Sequence, residues 1–172
     1  RGPEMDQAET VTLLNDLCVL APAALVDAPI EWTHVDDHHV GAAFTNAGHT
    51  VRAVLVFSDD HELVDFVSDD RLAASADGRT FTPRTWSTPI ADYRCFDGRR
   101  LGALGHGRWH PADEPSFDYL EFHVDRIDYL ELGGPDRGRL DAREVVGSRS
   151  VSRLEGCGCA RSARCWSICR CS

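Results

Sequence analysis

Lysine is absent from this chain: all 18 basic side chains among its 172 residues are arginine, which points to GC-rich coding and bears little on function. Long apolar runs are absent too. No 18 consecutive apolar residues occur, so no helix is expected to cross a bilayer. The motifs that announce common chemistries are also missing. There is no Gly-x-Ser-x-Gly elbow for a serine nucleophile, no Gly-x-x-x-x-Gly-Lys phosphate loop and no His-Glu-x-x-His zinc helix. Gly102-Ala-Leu-Gly-His-Gly107 is rich in glycine, but no helix pattern follows it, so it reads as a bent strand rather than a phosphate cradle. Cysteine is sparse before residue 150, where only Cys18 and Cys95 occur. Two lone cysteines read as buried thiols in a reducing compartment.

Acidic residues are plentiful, 28 in all, and the net charge is −10. The charge is unevenly placed. Residues 1–132 carry 10 Arg against 24 Asp and Glu, a charge of −14, while residues 133–172 carry 8 against 4, a charge of +4. A body this negative repels phosphate backbones, so no nucleic-acid partner is expected. Arg1-Gly-Pro-Glu4 is not a charged leader before an apolar stretch, so a cytoplasmic chain is expected. The hydrophobic share, 42%, is enough for one domain with a real core.

Val11, Leu14, Leu17, Cys18 and Ala21 recur at helical spacing, with Leu13 and Leu20 widening the stripe, and predict a helix over 6–20. Asp6, with Glu9 three residues on, is the expected cap, and Pro22 ends or kinks the run. From Ile30 the texture changes. Asn46-Ala47-Gly48, Asp59-Asp60, Asp77-Gly78, Asp97-Gly98 and Asp113-Glu114-Pro115 punctuate predicted strands at 30–35, 38–45, 50–57, 62–68, 80–86, 90–96, 100–110 and 116–131. The 50–57 segment is apolar on both faces and should sit centrally. The last strand changes parity after Val124, which predicts a bulge or bend near Asp125-Arg126. The fold class is therefore mostly β (α+β): a curved antiparallel meander or half-barrel over 1–132, with one N-terminal helix packed against it. Residues 133–172 form an irregular tail rich in Gly, Arg, Ser and Cys. Its Cys157, Cys159, Cys165, Cys169 and Cys171 match no usual zinc-knuckle spacing.

Three groups of residues could carry a site. His34, Asp36 and His38 alternate in strand-like sequence, which puts them on one face in steps of about 6.6 Å. Imidazole and carboxylate suit zinc or iron, and the bland alternative is an exposed polar face. Ser68-Asp-Asp-Arg71 offers Arg71 as an anchor for a ligand headgroup, or simply a turn with a local ion pair. Trp86, Tyr93, Trp109 and Phe122, with Trp32, could line a pocket if the sheet is concave, and are plain core otherwise.

The segments Glu9–Leu25, Phe44-Thr-Asn-Ala-Gly48, Phe66-Val-Ser-Asp-Asp-Arg71, Trp86-Ser-Thr-Pro89 with Asp92-Tyr93, and Trp109 together resemble a bacterial family of unknown function. The resemblance spans roughly residues 5–130 and implies the C-terminal half of a longer protein, with no assigned activity, cofactor or catalytic residue. The helix-then-meander order is also similar to half-barrel carriers of lipids, an analogy of fold alone. Three readings follow. The first is a non-enzymatic binding module for a small apolar or amphipathic ligand or lipid, using Arg71, Trp86, Tyr93, Trp109 and Phe122 and no cofactor. The second is a metal-dependent enzyme built on His34, Asp36 and His38. The third is a purely structural half-domain.

Overall fold

A computed structural model of the protein describes residues 2–129. The cysteine-bearing tail from residue 133 lies outside the described residues. The first element, α1 (Pro3–Leu20), starts one turn earlier than its sequence pattern suggests. Gly2 is its cap and Pro3 its first residue, a position where the missing N–H costs nothing. Asp6, expected as the cap, lies inside the first turn with Glu4, where a negative charge complements the helix dipole. The Ala21 N–H closes the last turn on Leu17 O (3.2 Å), and Pro22 opens a 3₁₀ turn over Pro22–Val26.

Ten strands follow: β1 (Ile30–His34), β2 (His39–Asn46), β3 (His49–Phe57), β4 (Leu63–Ser68), β5 (Leu72–Ala74), β6 (Phe81–Pro83), β7 (Thr85–Ser87), β8 (Ile90–Phe96), β9 (Arg99–His110) and β10 (Phe117–His123). Eight make one open antiparallel sheet in the order β1-β2-β3-β4-β7-β9-β10, with β8 pairing on the same edge of β9 as β7. β5 and β6 form a separate small hairpin. Two tight turns set the register. Ala47-Gly48 joins β2 to β3, and Asp97-Gly98 joins β8 to β9. In both loops the two central residues have positive φ, the conformation whose twist matches flanking antiparallel strands.

One helix covers one face of this sheet. Val11, Leu14, Cys18 and Val19 are buried against Phe44, Val51, Ala53, Leu55 and Phe66, with Trp86 and Ile90 completing the cluster. Leu13, expected within the stripe, is 40% exposed; it lies two residues beyond Val11, roughly 160° around the axis. β3 is interior in the strand order, as its apolar sequence suggests, but only Val51, Ala53 and Leu55 are buried, while Val54 faces outward and is exposed. The last strand is shorter than expected. β10 stops at His123, with a register shift between Asp118 and Leu120, and the chain then bends at Asp125, as the parity change suggests. Val124 and Ile127 leave the sheet and pack with Leu101 in a second small cluster. The tip of the Phe122 ring packs on β9 at Gly105, where a Cβ would come within 2.2 Å of it.

A helix of this length is marginal in water without tertiary packing, so its stripe must supply much of its stability. Leu14→Ala should destabilise the protein by about 2–5 kcal/mol in denaturant melts. Leu13→Ala should stay within about 0.5 kcal/mol, the usual range for a surface site. Similar losses at both positions would contradict this packing.

Candidate functional site

Of the five aromatic and cationic candidates, Arg71, Trp86 and Trp109 gather at one place and Tyr93 lies at another, while Phe122 packs against Gly105 of β9 and is part of neither. Arg71 leaves the end of β4 and crosses onto the indoles. Its guanidinium carbon is 4.3 Å from the Trp86 ring centroid and 5.8 Å from that of Trp109, within cation–π range of both. Trp86 and Trp109 are directly paired across β7 and β9. Arg71 Nη1 donates to Thr12 Oγ1 on α1, so the side chain ties the sheet to the helix. The local ion pair that Ser68-Asp-Asp-Arg71 suggests is absent among the described residues. Asp70 accepts the Arg52 N–H (2.6 Å) and Asp69 accepts the Thr85 hydroxyl (2.5 Å). Tyr119 completes this end: it stacks on Trp109 (6.0 Å between centroids) and accepts the Trp86 indole N–H at 3.2 Å. Sequence reasoning missed Tyr119 and Thr12. Tyr119 sits at the irregularity of β10, where simple alternation does not show which way a side chain points.

Tyr93 lies at the other place, a cleft of about 350 Å³ between the last turn of α1, the 3₁₀ turn and the sheet. Cys18, Val19, Leu25, Leu55, Phe57 and Leu101 supply apolar wall. The Tyr93 hydroxyl donates to Leu63 O (2.9 Å), and burial, with Glu62 second, pushes its titration upward. Arg100 and Glu62 pair across the rim, Nε to Oε1 at 2.8 Å. Burial drives the Cys18 thiol up to about 12, so at neutral pH it is an apolar wall group and not a nucleophile. Cys95, in contrast to the buried thiol expected, is exposed. Trp32 contributes to neither place and is 46% exposed on edge strand β1. A second, larger hollow of about 480 Å³ lies beside Ala43 and Arg52, away from all five candidates.

The metal-site geometry expected of His34, Asp36 and His38 is not present. β1 ends at His34, and residues 35–38 turn into β2. Asp36 accepts the His38 backbone N–H (2.9 Å) and pairs with His39 Nδ1 (2.7 Å), while His38 reaches Asp59 at 3.5 Å. Those bonds hold the Asp36 carboxyl below its ordinary range. Among the described residues no three His, Cys, Asp or Glu side chains are grouped so as to hold a metal ion.

On the sheet face away from the helix, Arg108 grips Asp118 with two bonds (2.6 and 3.1 Å) and holds that carboxyl low. His110 bridges Ser87 and Ser116 at 2.8 Å each. Ser87 is buried, so this pairing does not present a hydroxyl to a substrate.

A family model described as a family of unknown function (DUF6544) matches residues 1–122. The chain belongs to this family. No curated protein and no solved structure matches the chain. The matched region of DUF6544 takes in α1, β1–β9 and most of β10, and with them both the Arg71 cluster and the cleft. The described residues contain no helix long and apolar enough to cross a membrane.

Asp16 gives a pH-dependent test of this region. Burial raises its carboxyl, while an Asn15 hydrogen bond and the field of Arg71 pull the other way. A raised folded value means the charged form is penalised in the fold at neutral pH. The penalty disappears once the pH is below the unfolded value of about 3.9, where both states are protonated. Asp16→Asn should therefore raise the melting temperature at pH 7, with the gain shrinking to nothing as the pH falls below about 4. A gain independent of pH would contradict the assignment.

Proposed function

We propose that the chain is a non-enzymatic binding module whose cleft takes a small amphipathic molecule. The observation that carries this reading is the cleft itself, with hydrocarbon walls and a polar rim. Its volume of about 350 Å³ is at the small end of the range for ligand sites. Tyr93 closes one wall with its hydroxyl already satisfied, leaving its ring as contact surface. Arg100 and Glu62 compensate each other at the rim, so a ligand with an uncharged polar head fits better than an ion.

The structural reading has one observation in its favour: β1 is a sheet edge, and Trp32 and Val35 beside it are 46% and 56% exposed. Such an edge suits further pairing.

A thermal-shift series with dodecanol, dodecanoate and a sterol tests the binding reading. A ligand at a hundred times its Kd stabilises by about 2.7 kcal/mol, a rise of several degrees. Leu25→Trp, which fills the cleft, should abolish the rise. No shift with any ligand, or an equal shift in the filled variant, would contradict the reading. Concentration-dependent association in the same samples would favour the structural one.

A further inference from the structure

We propose that Arg71 anchors a second site, separate from the cleft, that binds small aromatic carboxylates. A guanidinium carries five N–H donors in a planar fork. Among the described residues Arg71 makes one side-chain hydrogen bond, to Thr12, and no carboxylate oxygen lies within ion-pair distance of it. The two acids next to it in sequence are occupied elsewhere, Asp70 by the Arg52 N–H and Asp69 by the Thr85 hydroxyl. A half-buried cation is thus held on two indoles with most of its fork unfilled. That fork matches a carboxylate in shape and charge better than it matches any neutral group.

The surroundings specify the rest of the ligand. The Trp86 ring lies against the guanidinium, its centroid 4.3 Å from the central carbon, and of the five donors only the one to Thr12 has a side-chain partner among the described residues. Beyond Trp86 the aromatic wall continues through Trp109 to Tyr119, which is 41% exposed. The Tyr119 ring is fixed in advance. It stacks on Trp109, bonds to Trp86 through its hydroxyl, and lies about 3.0 Å from the position of a Cβ at Gly107, a tight contact for any larger residue there. A prefixed wall binds a flat ring without an ordering cost. Asp16 is within electrostatic reach of Arg71 and opposes an anion there, although its own burial disfavours its charge. Thr12 precedes Val19, in the cleft wall, by about two helical turns, roughly 10 Å along the axis, so the two sites are distinct.

The test uses the full chain, with benzoate as probe and benzyl alcohol as its uncharged counterpart, followed by calorimetry and ligand-observed NMR. Saturable benzoate binding is expected, with no binding of benzyl alcohol. Arg71→Met should weaken benzoate about tenfold or more, the scale of a lost hydrogen bond to a charged group. Asp16→Asn should tighten it several-fold. Leu25→Trp should leave it unchanged, which separates this site from the cleft. Absence of saturable binding, equal binding by folded Arg71→Met, or loss of binding in Leu25→Trp would each overturn the proposal. If Arg71→Met does not fold, Asp16→Asn decides, and an affinity no tighter than wild type overturns the site.

Discussion

Burial of the α1 stripe on β3 is the contact on which the rest of the molecule depends. Val11, Leu14, Cys18 and Val19 remove one face of the sheet from water, and Val51, Ala53 and Leu55 are buried there in return. The 3₁₀ segment adds Leu25 to this core, and a smaller cluster forms around Leu101. The open sheet gains its main core where the helix lies, and the helix gains most of its order from the sheet. Both candidate sites are set along this contact. The cleft opens where the last helical turn lifts away into the 3₁₀ segment, and Arg71 reaches the helix at Thr12.

The fold was legible in the sequence where the signal is local. A 3.6-residue apolar period placed the helix, and Asp97-Gly98 and Asn46-Ala47-Gly48 placed two hairpin turns whose positive φ values suit Asp97, Gly98 and Gly48, with Ala47 the exception. The family resemblance was legible too, because it rests on an ordered series of segments and not on any one motif. The bulge was not. A one-residue shift in β10 depends on where Tyr119 finds its partners, and those partners, Trp109 and Trp86, lie on other strands. Parity does locate the bend at Asp125, where the chain leaves the sheet and buries Val124 and Ile127.

The sites were harder to read for the same reason. Arg71 and Thr12 are 59 residues apart, and Arg100 and Glu62 are 38 apart. No local pattern announces such pairs. Arg71, Trp86 and Trp109 are residue types suited to touching a ligand, and the fold places them together; Tyr93 falls in a different place. The histidine group failed because alternation assumed a strand through residues 35–38, where the Asp36 carboxylate instead nucleates a turn by accepting the His38 N–H.

The central claim is that helix and sheet are one cooperative unit. Native-state hydrogen exchange tests it most directly. The amides of Leu14–Val19 in α1 and of Val51–Leu55 in β3 should exchange only through global unfolding, with the same opening free energy and the same denaturant dependence. Helix amides that exchange several kcal/mol more easily than those of β3 would show that α1 opens on its own, and the account would fail.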